Sequence, residues 1–210
     1  MVLSKLLLNP RSPQVQAELV NPYEMHRTMM SGFPDGVKTR ERVLYRLEAR
    51  QQSPYLTVLV QSESMPDWQQ LLQKGYLLAP SEAKVFQMAF TEGQNFTFRL
   101  VANPTRKIKD DRNPNGKRVG LYKPEEQQEW LLRKAQQHGF RLQALTIKPP
   151  EMFRGNLFRD NQKHTLKLLT VQYDGLLEVA DPRKMEAAIA EGIGSAKGFG
   201  CGLLSLMRAD

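Results

Sequence analysis

The sequence predicts an α+β protein in which the order strand–helix–strand–strand–helix–strand occurs twice along the chain. Segments that alternate apolar and polar side chains, or that are rich in β-branched and aromatic residues, predict the strands. Segments with apolar residues at helical spacing, bounded by proline, asparagine or glycine, predict the helices. Two such series within 210 residues predict two tandem ferredoxin-like (RRM-like) βαββαβ domains of roughly 100 residues each.

The first series lies in a predicted N-terminal domain, residues 1–90. Asn21 and Pro22 interrupt one helical segment, because asparagine favours a helix cap and proline favours the first turn of the helix that follows. Gly75 ends the next helical segment. The predicted elements are strand 2–8, helix 13–31, strands 43–49 and 55–61, helix 66–74 and strand 84–90.

The second series lies in a predicted C-terminal domain, residues 95–210. Phe96 and Phe98 alternate along its first strand and are expected to face the core. Gly139 ends one helix, and Asp181–Pro182 opens another. The predicted elements are strand 95–101, a helix that begins at Lys123, strands 140–147 and 165–179, helix 181–191 and strand 199–207. Basic loops and a glycine-rich loop are expected in this domain.

The chain carries a formal net charge of +8 and a pI of about 9.6, which favours a polyanionic partner. Residues 99–123 hold eight Lys or Arg and two Asp. Turn signals at Asn103–Pro104 and 113–116 predict that this stretch is a mobile basic loop. A second basic region, 148–167, is either a hairpin arm that enters the groove of an RNA stem or a solvated loop. The recurrence of basic clusters favours RNA contact.

Cysteine and histidine usage bears on disulfides and metal sites. The single cysteine, Cys201, excludes an intrachain disulfide, and the three histidines show no spacing typical of zinc ligands. No stretch approaches the ~20 apolar residues that span a bilayer. We therefore expect a soluble, cytoplasmic protein that uses no metal and no cofactor and has no membrane partner.

A glycine-rich segment follows the last predicted helix. Five glycines lie within the eleven residues 192–202, and Lys197 lies among them. Successive backbone N–H groups in such a loop can form an anion site; the alternative is a loop that lets helix and strand pack tightly. The predicted strand follows the glycines, and no Gly-Lys-Ser/Thr is present, which argues against a P-loop and against a dinucleotide fingerprint.

The segment 21–30 is the best catalytic candidate. Tyr23 and His26 are three residues apart, so a helix projects both from one face, which Arg27 adjoins. RNA cleavage without a metal requires proton removal from the ribose 2′-OH, proton donation to the 5′-oxygen and stabilisation of the phosphorane. Imidazole, phenol and guanidinium suit these tasks. The alternative is a capped helix with a surface histidine.

Four segments carry a family resemblance, in order along most of the chain. They are 21–28 (NPYEMHRT), 98–105 (FRLVANPT), 116–119 (GKRV) and 192–205 (GIGSAKGFGCGLLS). Together they resemble the CasE family, the CRISPR-associated endoribonucleases of the E-subtype Cascade complex. The resemblance implies two ferredoxin-like domains and metal-independent cleavage of the CRISPR precursor transcript at the base of each repeat hairpin. It also implies a 2′,3′-cyclic phosphate product and an enzyme that stays on the mature guide RNA and joins the other Cascade subunits.

The resemblance also assigns residues. The family's catalytic tyrosine and histidine fall on Tyr23 and His26, and its glycine-rich loop falls on 192–202. Arg99 and Asn103 match the end of a family strand, although Val101 stands where many members have a second arginine. The residues predicted to bind RNA, from charge or from the resemblance, are Arg27, Arg99, Asn103, Arg106, Lys107, Lys117, Arg118, Lys148, Arg154, Arg159, Lys163, Ser195 and Lys197.

Three functions are weighed. The first is a metal-independent endoribonuclease with His26 as the principal proton-transfer group and Tyr23 as the group that orients or shares the transfer; the sequence leaves open which of them takes the 2′-OH proton. The second is a non-cleaving RNA-hairpin-binding subunit of a ribonucleoprotein, which would need neither side chain. The third, a nucleotide-binding allosteric module, is disfavoured by the order of elements around the glycines.

Overall fold

A computed structural model describes residues 1–34, 42–48, 55–87, 89–110, 113–159 and 162–209, and it leaves out the side chains of 109–115 and 154–166. The chain forms two compact units. The first unit comprises Met1–Met88, Arg154–Leu166 and Lys197–Leu203, and the second comprises Ala89–Phe153, Lys167–Ala196 and Leu204–Asp210.

The first unit contains a four-stranded antiparallel sheet with helices between its strands. Its elements are β1 (Val2–Leu8), α1 (Pro13–Val20), α2 (Pro22–Met30), β2 (Leu44–Glu48), β3 (Leu56–Ser62), α3 (Gln69–Gln73) and β4 (Glu82–Val85). The strands lie in the order β2-β3-β1-β4. This is the arrangement of a ferredoxin-like βαββαβ unit, with the first and third strands in the centre.

Two elements of this unit differ from their predicted bounds. The strand predicted at 84–90 is Glu82–Val85, and all four of its side chains are exposed, so no apolar pattern marks it. It is fixed by backbone pairing with β1, in which Val85 lies opposite Val2. The helix predicted at 66–74 is limited to Gln69–Gln73, because the buried Trp68 takes the position before its first turn.

The core of the first unit lies between its helices and its sheet. It gathers buried side chains from three strands and all three helices, including Leu6, Leu8, Val15, Met25, Met29, Tyr45, Val58, Val60 and Leu71, and from Tyr76 after α3. Burial of apolar side chains is the main stabilising contribution to such a unit. Met25 and Met29 belong to this core, so the packing fixes which side of α2 faces inward.

The second unit repeats the topology with two additional hairpin strands and a further pairing. The elements of this half of the chain are β5 (Asn95–Ala102), β6 (Thr105–Asp110), β7 (Asn113–Gly120), α4 (Pro124–Gln137), β8 (Phe140–Ile147), β9 (Glu151–Arg159), β10 (Gln162–Val179), α5 (Pro182–Glu191) and β11 (Leu204–Arg208). The parts of β9 and β10 that lie within 154–166 group with the first unit. Four strands follow the order β11-β5-β10-β8, β9 pairs with β10, and β6 pairs with β7 in a separate two-stranded sheet. The predicted fold class is confirmed. Phe96 and Phe98 are each 5% exposed, as predicted for core residues.

The structure corrects two predictions in the second half of the chain. The stretch predicted as a mobile basic loop is a β-hairpin, β6–β7, since backbone pairing does not require an apolar pattern. The last strand begins at Leu204 instead of residue 199, and Lys197–Phe199 forms a 3₁₀ turn. The segment Lys197–Leu203 groups with the first unit, and the domain limits 1–90 and 95–210 stay a prediction. Among the helices of the described residues, none combines the length and apolar character needed to cross a bilayer.

Candidate active site

The helix α2 presents the Tyr23–His26 face. Pro22 lies in its first turn, as predicted, and Asn21 occupies the cap position without a side-chain capping hydrogen bond. Met25 and Met29, four residues apart, are buried in the core at 2% and 0% exposure. The helical period therefore leaves Tyr23 and His26 half-buried.

The turn Lys197–Phe199 lies against this helix face. The rings of Tyr23 and Phe199 contact each other with centroids 5.9 Å apart. A Cβ built on Gly198 would stand 3.4 Å from Cδ2 and 3.6 Å from Nε2 of His26, which is ordinary van der Waals contact, so the turn at Gly198 lies beside the ring. The two predicted catalytic residues and part of the glycine-rich segment thus share one site within the first unit.

The environment of His26 is apolar on its inner side. Its ring stacks on that of Tyr45, with centroids 6.1 Å apart and planes inclined by 19°. Nδ1 of His26 is buried and accepts or donates no hydrogen bond among the described residues. Burial lowers the pKa of His26 below its ordinary value, because desolvation disfavours the charged imidazolium. The neutral imidazole is therefore the resting form near neutral pH.

Tyr45 connects both sides of the site, and sequence reasoning missed it. Its hydroxyl donates to the carbonyl of Pro22 at 2.7 Å and lies 3.5 Å from the carbonyl oxygen of Gly198. A Cβ on Gly200 would stand 3.3 Å from its ring. In the sequence Tyr45 is one more aromatic residue of a predicted strand, and no local pattern distinguishes it from any other core tyrosine.

The segment that follows the turn is anchored by Arg46, which is 2% exposed. Its Nη1 donates to the carbonyl of Leu203 at 3.0 Å, and its guanidinium pairs with Glu48 at 2.5 Å. A buried arginine without its carboxylate would be costly, so Glu48 makes this anchor possible. The pair holds Leu203 beside β2.

The predicted phosphate ligands Arg27 and Lys197 lie on the two sides of this site. Arg27 is exposed on α2 and forms an ion pair with Glu24 at 3.1 Å. An exposed pair of this kind exchanges partners at little cost, which leaves the guanidinium available to a phosphate. Lys197 begins the turn that contacts α2, and its side chain is half-buried.

Arg99 lies in the second unit, opposite Asp174 in the β5–β10 ladder. Its Nε donates to Oδ1 of Asp174 at 2.6 Å and its Nη2 to Oδ2 at 3.3 Å. Burial by itself would raise the pKa of Asp174, but the hydrogen bonds from Arg99 and Gln172 outweigh it and lower that pKa. The guanidinium is thus part of a two-bond carboxylate pair, and its RNA role stays a prediction.

Asn103 and Ser195 are brought together by the fold. The Ser195 hydroxyl donates to Oδ1 of Asn103 at 3.2 Å, and Nδ2 of Asn103 donates to the carbonyl of Leu169 at 2.6 Å. A backbone bridge also joins the two residues. Asn103 is 8% exposed, so the amide fastens the start of the glycine-rich segment to the end of β5.

The hairpin β6–β7 is strongly basic. Lys107 lies opposite Arg118, and Lys117 lies opposite Ile108. Like charges directly opposite each other destabilise a strand pair, so this hairpin gains from a bound polyanion. Arg106 is already paired with Glu126 on α4 at 3.0 Å.

The second predicted basic region also forms paired strands, β9 and β10. The predicted hairpin arm is therefore confirmed as a structural element, and its RNA contact stays a prediction. The side chains of Arg154, Arg159 and Lys163 lie outside the described residues. Lys148 precedes the arm, and its backbone N–H donates to the carbonyl of Gln172 at 2.9 Å.

Metal-ligating side chains do not cluster in the part of the chain that the structure describes: no three of His, Cys, Asp and Glu could hold an ion together there. The fold and the site define a protein of two ferredoxin-like units, the first of which carries a tyrosine–histidine helix face against a glycine-rich turn. The chain belongs to the family described as CRISPR associated protein, whose model matches residues 1–208.

Known proteins are similar to this chain over nearly its whole length. The chain is 38% identical over 215 residues to the CRISPR-associated endoribonuclease Cse3 of Thermus thermophilus, covering 98% of this chain and 99% of that protein. It is 29% identical over 195 residues to the CRISPR system Cascade subunit CasE of Escherichia coli, covering 88% and 90% respectively. A solved structure of CRISPR endoribonuclease Cse3 bound to a 19-nucleotide RNA matches with a TM-score of 0.87 and 35% identity, covering 99% of this chain and all of that one. The resemblance to the CasE family predicted from four motifs is confirmed.

Proposed function

We propose that this chain is a metal-independent endoribonuclease that cleaves CRISPR precursor RNA at the base of the repeat hairpin. It leaves a 2′,3′-cyclic phosphate and stays on the mature guide RNA as a subunit of Cascade. The observation that carries the proposal is the shared site of Tyr23 and His26 on α2, against which Gly198 and Phe199 pack. A protein that only bound RNA would need no such paired proton-transfer groups.

The lowered pKa of His26 supports it as the base in this proposal, because its resting form is the neutral imidazole. The neutral imidazole takes the proton of the ribose 2′-OH, whose oxygen then attacks the adjacent phosphorus. The phosphorus–5′-oxygen bond breaks, and the 5′-oxygen leaves with a proton from the phenol of Tyr23. Exchange with water restores both side chains, so the products are a cyclic phosphate and a 5′-hydroxyl. Arg27 and Lys197 stabilise the charge on the phosphorane oxygens.

The RNA stem is held by charge. The hairpin β6–β7 carries Lys107, Lys117 and Arg118 as exposed cations, and phosphate contacts by such side chains supply much of the affinity for a nucleic acid. Arg106, Lys148, Arg154, Arg159 and Lys163 are further proposed phosphate ligands. Arg99, Asn103 and Ser195 are also proposed RNA ligands, and in the protein without RNA their polar groups bond to other residues of the chain.

The names of the relatives support the substrate and the partners. One relative is called a CRISPR-associated endoribonuclease and another a Cascade subunit, which supports repeat RNA and other Cascade subunits as partners of this chain. We also propose domains at 1–90 and 95–210 and a cytoplasmic location, where a precursor transcript is available.

One experiment separates this function from a non-cleaving RNA-binding subunit. The protein is incubated in excess EDTA with a hairpin RNA from the repeat of its own CRISPR array, and with the same RNA carrying 2′-deoxyribose upstream of the cut. We expect cleavage of the first RNA to a cyclic phosphate, and binding without cleavage of the second. Cleavage of the deoxy substrate, or a strict Mg²⁺ requirement with refolded RNA controls, would contradict the mechanism. Binding of both RNAs without cleavage would establish the binding subunit.

A further inference from the structure

Tyr45 lies next to the proposed base, and the proposed chemistry gives it no task. It is 1% exposed, and its ring stacks on that of His26 at 6.1 Å between centroids. Its hydroxyl contacts the carbonyl oxygens of Pro22, in the first turn of α2, and of Gly198, in the turn that faces His26. Tyr45 thus contacts both His26 and the two backbone segments on either side of it.

We propose that Tyr45 is a positioning residue for His26: its ring supports the imidazole, and its hydroxyl fixes the first turn of α2. The expected effect of Tyr45 on the cleavage rate rests on the proposed function, because it requires His26 to take part in cleavage. The position itself is a property of the protein without RNA.

The hydroxyl acts through a backbone carbonyl. It donates to the carbonyl oxygen of Pro22 at 2.7 Å. In an α-helix the same carbonyl accepts the backbone N–H four residues later, which belongs to His26. A carbonyl oxygen has two lone pairs and can hold both bonds. The Tyr45 hydroxyl therefore holds in place the same carbonyl oxygen, that of Pro22, that accepts the helical hydrogen bond from the backbone N–H of His26.

The ring has little freedom to move. Gly200 packs on it, with a Cβ position 3.3 Å from Cε2 of Tyr45 and a backbone φ of +78°. Only a glycine adopts this φ without strain and leaves room for the ring. The glycine-rich segment thus contacts the ring of Tyr45 at Gly200 and the ring of His26 at Gly198. These two contacts restrict the positions that the two rings can take.

Tyr45 does not itself transfer a proton. Burial, followed by the nearby Cys201 and Glu18, raises its pKa far above the working range, so the phenol stays protonated. The titratable groups on the elements packed around His26 are Tyr23, Tyr45, Glu18, Lys197 and Cys201, together with the exposed ion pair of Glu24 and Arg27 on α2 itself. Arg46 and Glu48 on the same strand pair with each other. Since Tyr45 stays neutral, it acts on His26 through the contact of its ring and the hydrogen bond of its hydroxyl to Pro22, and not as a charge.

The test is Tyr45→Phe, which keeps the ring and removes the hydroxyl. We expect the single-turnover rate constant to fall between about 5- and 50-fold, the scale of a slight misplacement of a reacting group. The dissociation constant of the hairpin should stay within about 2-fold, because the phenol is buried and makes no phosphate contact. In the RNA-free protein, NMR titration should find the pKa of His26 shifted upward as the ring gains access to water.

A matched control exists in the second unit. Tyr173 is also buried and stacked, with its ring 6.1 Å from that of Trp130, and its hydroxyl donates to the carbonyl of Gln127 at 3.3 Å. Tyr173→Phe removes an equivalent hydroxyl, so it should leave both the rate constant and the pKa of His26 unchanged.

A second variant decides the question if Tyr45→Phe fails to fold. Gly200→Ala adds a methyl group against the ring of Tyr45, while Gly75→Ala, at a φ of +68° with nothing within 4 Å, has the same backbone strain without the contact. Only Gly200→Ala should shift the pKa of His26. An unchanged His26 pKa in folded Tyr45→Phe and in Gly200→Ala would overturn the inference. If His26→Ala cleaves like the wild type, the proposed function fails, whereas a shifted His26 pKa still supports the positioning role.

Discussion

A Cβ built on Gly198 would lie 3.4 Å from Cδ2 of the His26 imidazole, which is van der Waals contact, so the turn at Gly198 lies beside the ring. These residues are distant in sequence, and their contact makes one wall of the site. The glycine at this position leaves room for the ring, which is the packing alternative considered for the glycine-rich segment.

Removing the imidazole tests its role most directly. His26→Ala should lower the single-turnover cleavage rate constant at least ~100-fold, the usual scale of general acid–base catalysis. Binding of the hairpin should change little, since one neutral imidazole adds few phosphate contacts. His138→Ala, at the end of α4, is the control and should cleave like the wild type. Equal cleavage by His26→Ala and the wild type would remove His26 from the mechanism.

The pH dependence of cleavage tests the direction of proton transfer. A base must be unprotonated, so the logarithm of the rate constant should rise with pH up to the pKa of His26 and then level off. Because burial lowers that pKa, the inflection should lie below the ordinary value of 6.5. Single-turnover rates between about pH 4.5 and 8, with folding checked by circular dichroism, measure it. A rate that falls as pH rises through this range would make His26 the acid instead.

The cleavage rate constant should decrease as the side chain at position 198 becomes larger. Gly198→Ala adds a methyl group at ordinary contact distance from His26, so the rate constant should stay within about 5-fold of the wild type. Gly198→Val cannot fit without moving the ring and should lower the rate constant at least ~10-fold. The thermal midpoint and the NMR signal of His26 report whether the ring moved. Full activity of Gly198→Val would mean that the turn does not fix the imidazole.

The basic hairpin should contribute to affinity through phosphate contacts. Neutralising Lys107, Lys117 and Arg118 together should weaken hairpin binding and reduce the slope of log affinity against log salt by roughly one for each phosphate that is no longer neutralised. The matched control neutralises Lys74, Lys84 and Arg133, which are equally exposed on other elements. Binding titrations at several salt concentrations measure the slope. An unchanged slope in the first variant would place the RNA elsewhere.

The pair of Arg99 and Asp174 separates a structural role from RNA binding. The pKa of Asp174 is lowered in the folded state, so its stabilising contribution is present above its unfolded pKa and is lost as pH falls through the folded one. Arg99→Ala should remove about 1 kcal/mol or less at pH 7, the scale of a half-exposed pair, and should raise the pKa of Asp174. Urea unfolding and NMR titration measure both effects.

The RNA affinity of the same variant completes this test. If Arg99 only joins β5 to β10, the dissociation constant of the hairpin should stay within about 2-fold of the wild type, because the RNA keeps all of its phosphate partners. A loss of affinity of about 10-fold, with unchanged stability, would assign Arg99 to the RNA instead. Asp174→Asn is the matched variant, since it removes the pair and keeps the guanidinium.

Local signals in the sequence predicted most of the fold. The strand Val2–Leu8 and the helices on either side of Asn21–Pro22 were predicted with nearly their observed bounds, because a buried apolar stripe and a proline act within a few residues. The strand Glu82–Val85 and the hairpin β6–β7 were not, because backbone pairing holds them without an apolar pattern. The pattern of apolar residues along a sequence predicts which side chains are buried better than it predicts which strands pair.

Some features of the site also follow from local sequence patterns, and others do not. Tyr23 and His26 could be placed on one helix face from their spacing alone, since three residues make nearly one helical turn. That the turn at Gly198 packs on His26, and that Tyr45 supports the ring from β2, was decided only by the tertiary structure. The chemical groups, the family and the order of the βαββαβ elements follow from the sequence, whereas the hairpin β6–β7 does not. The separations between those groups, and the burial that lowers the pKa of His26, arise only when distant segments pack together.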